Sequence, residues 1–253
     1  MDVPEQVITP AVPDPARDGG TVTFRALELD DHPALLDASY RLRYQVFCIE
    51  RFFLSPTFFP DGREIDVFDQ HAVHLGVLDA ANRLVATARL VRRTDDGLPM
   101  YGHCSLLVRD PVLEDFLAPL VEISRLAVSR QYNRRKRDQH YGLEGGHSSD
   151  FGRERREGGE IVMTLYRAVY QASKRHGFTH WLAATERSLQ RLLTRFRLPF
   201  TQVGPETDYY GMVAPYLLDL SVLDCEVLRG EVPAIRDWLD GLEPQFHPSL
   251  SDE

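Results

Sequence analysis

Apolar positions along this chain come in short runs whose period switches from two to about 3.6 and back. Residues 21–29 (TVTFRALEL) alternate apolar and polar side chains and predict a strand. Asp30 or Asp31 can cap the helix that follows, with Pro33 near its first turn. That helix is expected to run to about Arg51, with Leu36, Tyr40, Arg43, Tyr44 and Phe47 on one stripe. Two alternating runs, 71–78 and 84–92, flank Asp79-Ala80-Ala81-Asn82-Arg83 and predict a β-hairpin. A loop with a short helix near 112–117 leads to an apolar run over 121–129, expected as a central strand. Residues 130–159 are rich in charge and glycine, without periodicity, and read as a mobile insertion. A helix over 161–176 ended by Gly177, a strand over 180–185 and a helix over 186–197 follow. Residues 200–203 and 211–221 are strand candidates, and 225–242 predicts a C-terminal helix.

Residues 1–20, with four prolines and a Gly19-Gly20 end, read as a disordered arm, and 243–253 as a polar tail. A single domain is therefore expected over 21–242. Early antiparallel strands followed by a strand–helix–strand unit imply an α+β fold, an α/β/α sandwich. Its sheet is mixed and mainly antiparallel, with helices on both faces.

Composition adds exclusions. The 253 residues are 43% hydrophobic and 10% aromatic, ordinary for a globular chain. No apolar run approaches the roughly 20 residues that span a membrane, and no secretory pattern opens the chain, so a cytoplasmic protein is expected. Three scattered cysteines argue against a disulfide framework or a zinc knuckle. A formal charge of −9 argues against a general nucleic-acid binder, and no DNA partner is expected. The basic residues are nevertheless clustered, at 130–137, at 153–156, and at Arg187, Arg191 and Arg195, four apart on one helix face. Such a patch on an acidic protein suits an acidic partner, or is simply a solvated face.

Several charged residues stand where apolar ones are expected. Glu122, Ser124 and Arg125 interrupt the central strand, and alternation sets Glu122 and Ser124 on one face and Arg125 on the other. A carboxylate in mid-strand must reach water, find a partner or serve a site. Arg43 lies on the apolar stripe of the first helix, either snorkelling at its edge or aimed at a carboxylate beneath. Glu64, Asp66 and Asp69 precede the hairpin; Asp66 and Asp69 can share one side of a turn, as turn formers or to hold an amine. In the hairpin Arg89 shares a face with Thr87 and Val91. The aromatic loop 52–59 either covers the core or lines an apolar pocket. His71 and His74 fall on opposite faces of a strand, which discounts a metal site, and no metal is expected. The same argument weakens His103-Cys104 as a catalytic dyad, leaving Cys104 as a core residue.

Four pieces in order carry a resemblance: Arg43-Tyr44-Gln45-Val46-Phe47, Asp66-Val67-Phe68-Asp69, Thr87-Ala88-Arg89-Leu90 and Glu122-Ile123-Ser124-Arg125. Over about residues 21–220 the chain resembles the acyl-homoserine-lactone synthases and N-acyl amino acid synthases, a branch of the GNAT acyltransferase fold. More closely it looks like the acyltransferases associated with bacterial PEP-CTERM/exosortase systems. The resemblance implies that Arg43, Phe47, Asp66, Asp69, Arg89, Glu122 and Arg125 are site residues. Phe53 stands where the lactone synthases have a Trp. Arg155-Arg156-Glu157-Gly158 resembles the GNAT pyrophosphate turn, but Glu160 replaces a small residue and would repel coenzyme A.

The implied reaction is N-acyl transfer from a thioester to an amine. It needs a proton acceptor and oxyanion donors, but no covalent enzyme intermediate. Glu122 is the candidate base, with Asp66, Asp69 and Arg125 as its catalytic companions. Arg43, Phe47, Phe53, Arg89 and Ser124 are the candidate substrate contacts. The donor is expected to be an acyl-phosphopantetheine thioester, on acyl carrier protein or coenzyme A, with no tightly bound cofactor. Arg134, Arg135, Lys136, Arg187, Arg191 and Arg195 are the candidate docking residues for an acidic carrier. The same set of charges also reads as a structural ion network. Other readings are a homoserine-lactone synthase using S-adenosylmethionine and a non-catalytic module that binds a polyanion.

Overall fold

The computed structural model describes residues 24–107, 111–115, 118–129 and 148–249. Eight strands form one sheet, β1 Arg25–Glu28, β2 Ala72–Leu78, β3 Leu84–Arg92, β4 Leu120–Val128, β5 His180–Thr185, β6 Thr201–Gln202, β7 Thr207–Asp208 and β8 Met212–Asp219. Their order is β1-β2-β3-β4-β5-β8-β6, with β7 paired to β8 off that path. Every pairing is antiparallel except β4 with β5. This is the mixed, mainly antiparallel sheet that the run order implies.

Strand alternation sorts the side chains into two cores. Leu75, Val77, Ala88, Leu90, Val121, Ile123, Trp181 and Ala183 point to one face. There they meet α3 Ser148–His176, α4 Arg187–Arg195 and α5 Leu220–Arg229. On the other face Val91, Leu120, Leu182 and Leu217 pack against Leu98, Met100 and Cys104 from the 98–107 loop. That face also carries α1 Pro33–Tyr44, whose Tyr40 ring meets His74 edge-on at 5.7 Å, and the short α2 Pro111–Glu114, whose Val112 joins the same core. Both faces of β2 and β3 are buried, each buried apolar strand side chain contributing about 1.5–3 kcal/mol.

Several expected boundaries shift. α1 is capped at His32 with no side-chain bond, because the Asp30 carboxylate instead accepts from the His74 backbone N–H. Past Tyr44 the first helix loosens into a π-helical turn, Gln45–Glu50. The helix expected from 161 starts at Ser148, so the end of the charged 130–159 segment is helical. α5 stops at Arg229, because Gly230 adopts the left-handed conformation (φ 63°) and Pro233 follows; residues 231–242 are turns rather than helix. Short strand β7 was not foreseen. The 1–20 arm and the 130–147 segment lie outside the described residues. No helix among the described residues is long and apolar enough to cross a membrane.

Candidate active site

One row of side chains runs across three strands on the α1 face. His74 of β2 lies opposite Arg89 of β3, which lies opposite Ser124 of β4. Directly paired residues share a face, so the register alone brings these three together. Glu122, two residues before Ser124, extends the same face and lies opposite Val91.

Arg125 joins that face through an irregularity. Between the pairs Arg89–Ser124 and Thr87–Ala127, Arg125 and Leu126 together oppose Ala88 alone. The extra residue is a β-bulge, and Arg125 sits in the left-handed region at φ 51°. The bulge reverses parity beyond it. Leu126 packs with the α3-side core, and the Arg125 guanidinium turns to the acids on the α1 side. Simple alternation, which sends Arg125 to the opposite face from Glu122, is therefore corrected.

Three arginines and three carboxylates interlock there. Arg43 donates from Nε to Glu64 (2.6 Å) and from Nη1 and Nη2 to Asp69 (2.6 and 3.0 Å). Arg89 holds both oxygens of Asp66 (2.6 and 2.8 Å), reaches Asp69 at 2.8 Å, and donates from Nε to Ser124 Oγ. Arg125 donates to Glu64 and Asp66, each at 3.0 Å, and its guanidinium lies over the Phe47 ring at 5.8 Å. Asp66 and Asp69 form a capping box around the 3-10 turn Val67–His71, so both are turn formers and arginine partners at once. Arg43, Arg89 and Glu64 are essentially inaccessible, whereas the Asp66 side chain keeps 25% exposure and Arg125 13%. The network therefore reaches solvent through Asp66 and Arg125.

Its electrostatics follow from geometry. Burial would raise the Asp69 carboxyl, but bonds from His74 and Arg43 and the charge of Arg89 outweigh it and hold the group well below the carboxylate range. Asp66 is held low in the same way by Arg89 and Arg125. Burial opposes the charging of His74, yet Asp30 at 2.8 Å and Asp69 at 3.1 Å raise it. Glu122 behaves in the opposite sense. It is 2% exposed, and burial pushes it up to about 8, against a backbone bond from Met100 and the charges of Arg89 and Arg125. A carboxyl that titrates near neutrality can accept a proton from a substrate.

Beyond Glu122 the sheet opens. β4 pairs with β5 only at Leu120–His180, Val121–Trp181 and Glu122–Leu182, and the two strands part from there. Among the described residues this leaves the bulged end of β4 without a ladder partner on its β5 side, beside Glu122. Near this end Arg51 bonds Glu186, directly after β5, and stacks on Phe53 at 5.0 Å. The Phe53 ring packs so close to Gly211 that a Cβ there would lie 3.2 Å away. Phe52 and Phe58 are 81% and 75% exposed, so this loop forms an apolar rim and does not cover the core. Phe52 also holds a left-handed φ of 56°.

Of the expected docking residues, Arg187 is exposed and bonded to Glu206, with Nη2 to Oε2 at 2.8 Å; Arg191 and Arg195 are exposed. Arg134, Arg135 and Lys136 lie outside the described residues. Residues 155–160 lie inside α3, so their N–H groups belong to the helix ladder and form no pyrophosphate turn. Among the described residues no His, Cys, Asp and Glu group is arranged to hold a metal. Cys104 is buried, and His103 stacks on Tyr209 at 4.3 Å.

Glu64, His74, Asp30 and Tyr209 were not assigned to the site from sequence. The five-residue hairpin connection would not have found His74, since it pairs Leu78 with Leu84 and only a register shift between Val77 and Leu78 sets His74 opposite Arg89. Glu64 belonged to the acid run without a reason to single it out. Tyr209 comes from a turn remote in sequence and carried no signal.

A protein-family model described as an acetyltransferase (GNAT) domain matches residues 42–141. No curated protein matches the chain. Several solved structures share its fold. TofI, in a ternary complex with an inhibitor and MTA, is 20% identical with a TM-score of 0.60, over 88% of this chain and 98% of that one. BjaI, a CoA-dependent acyl-homoserine lactone synthase with SAM and isopentyl-CoA, is 21% identical with a TM-score of 0.56, over 85% and 92%. The AHL synthase LasI is 15% identical with a TM-score of 0.52, over 80% and 91%. The fold is GNAT-like, and the matched acetyltransferase (GNAT) domain model spans the strands that carry the ion network and Glu122.

Proposed function

We propose that the protein moves an acyl group, long-chain by preference, from a phosphopantetheine thioester to the amine of an amino acid or similar small acceptor. The observation that supports this most is the position of Glu122. It is a buried carboxyl that titrates near neutrality, on the face of the ion network, where β4 and β5 part. In this reading Glu122 takes the amine proton, directly or through a water. The unladdered N–H groups of β4 supply donors for the tetrahedral oxyanion. Arg43, Arg89, Asp66 and Asp69 act as positioning residues that hold Ser124 and Arg125 in place. Phe47 and Phe53 line the approach, and the exposed Phe52 and Phe58 meet the acyl chain.

Acyl carrier protein is the preferred donor, docked at Arg191 and Arg195 with the 130–137 cluster, since such carriers are acidic. Association with a PEP-CTERM/exosortase system and a cytoplasmic location rest on the sequence alone. BjaI is a lactone synthase whose structure holds SAM, so the homoserine-lactone reaction is the second reading. The test is incubation of the full chain with acyl-carrier protein or acyl-coenzyme A and a panel of amines, with products read by mass spectrometry. An N-acyl amine from the carrier-bound donor is the expected product. Acyl-homoserine lactone formed from S-adenosylmethionine would overturn the ranking, and no turnover with any thioester would overturn the activity.

A further inference from the structure

The turn that joins β7 to β8 brings Tyr209 against the wall of the site. Its hydroxyl donates to the carbonyl oxygen of Pro99 at 3.1 Å. The N–H of the same peptide unit, that of Met100, donates to Glu122 Oε2 at 2.9 Å. One peptide group thus connects the phenol to the carboxyl, carbonyl toward Tyr209 and N–H toward Glu122. His103 stacks on the Tyr209 ring at 4.3 Å and fixes its plane, and the turn itself is pinned by the Tyr209 N–H to Gly211 carbonyl bond.

We propose that Tyr209 is a positioning residue for the reaction, which sets the protonation of Glu122 through the Pro99–Met100 peptide. A donor on the carbonyl polarises the amide and strengthens its N–H as a donor at the other end. The stronger N–H favours the charged carboxylate and so makes Glu122 easier to ionise. Burial and the nearby Glu122 charge push the phenol up to about 12, so it keeps its proton and remains a donor through the neutral range. The other groups facing Glu122 are Arg89 from β3, Arg125 from β4, Asp66 from the turn before β2 and the neutral thiol of Cys104. None of these touches the Pro99–Met100 peptide through a side-chain bond among the described residues, while Arg125 also interacts with the Tyr209 phenol.

This inference rests on the reading of Glu122 as the base, but it is measured apart from turnover. The full chain is labelled with carboxyl-13C glutamate, and the Glu122 signal is identified by its loss in Glu122→Gln. Cooperative strengthening of one bond to a charged group predicts that Tyr209→Phe raises the Glu122 midpoint by about 0.1 to 0.6 pH unit. The pH profile of turnover should move by the same amount. Replacement of Tyr209 by 3-fluorotyrosine, similar in size and a stronger donor, should move the midpoint down, and it serves where the Phe variant fails to fold. A midpoint that stays put in the variants, or moves the other way, overturns the relay. A midpoint that moves while the turnover profile does not leaves the relay standing and removes Glu122 as the base.

Discussion

Arg43 holds Asp69 through both ends of its guanidinium, at 2.6 and 3.0 Å, with 1% and 4% of the two side chains exposed. Neither charge has water to fall back on. Asp69→Asn would leave Arg43 and Arg89 short of a counter-charge. A loss of about 3–5 kcal/mol of stability is expected, read by urea unfolding. An unchanged midpoint would show that water or rearrangement replaces the carboxylate.

The same acids set an acid limit. Asp66 and Asp69 are both held below their unfolded value of 3.8. Their contribution to stability is full above that value and is lost as pH falls through the lower folded-state values. Thermal unfolding followed below pH 4 should therefore show a steep decline, which Asp69→Asn flattens.

Glu122 works in the other direction. Its folded-state value is near 8, against an ordinary 4.5, so the fold favours the protonated form. The stability tied to that proton is full below about 4.5 and is lost as pH rises through about 8. Glu122→Gln keeps the shape, removes this slope and cannot accept a proton. Turnover should fall about 100-fold while unfolding at pH 8 becomes no easier. Near-normal turnover would take Glu122 out of the mechanism.

The strained bulge offers a comparison of two substitutions. Arg125→Ala and Arg125→Gly both strip Glu64 and Asp66 of a partner, but only Gly is at ease at φ 51°. The Gly variant should be the more stable by about 1 kcal/mol by chemical denaturation. Equal stabilities would mean that the backbone there relaxes once the guanidinium is gone.

The exposed rim separates chain-length effects from chemistry. Phe52→Ser with Phe58→Ser should raise KM for a long-chain thioester several-fold and leave a short-chain one unchanged. Equal effects on both donors would assign the loop to folding instead of acyl recognition.

Much of this architecture was legible in the residues themselves. Period-two runs over 71–78 and 84–92 became β2 and β3 almost to the residue, since both strands are bounded by turn formers. Arg43 on the apolar stripe of α1 did aim at carboxylates, because no water lies within reach of a group buried to 1%. The face of Arg125 was not legible, because one residue in the left-handed region reverses the parity of everything after it and leaves no mark in composition. Tyr209 was hidden for a different reason. Its contact with the Pro99 carbonyl spans 110 residues and depends on two loops meeting.

The three residue pairs that join β4 to β5 have a mechanical meaning. The sheet is sewn from two panels, β1 to β4 and β5 with β8, β6 and β7, along a seam shorter than the β2–β3, β3–β4 and β5–β8 ladders on either side of it. Each panel keeps its own hydrogen bonds if the seam flexes. Glu122 and the ion network ride on the first panel, while Tyr209 projects from the second. The Tyr209–Pro99 bond is thereby one of the contacts that cross from one panel to the other.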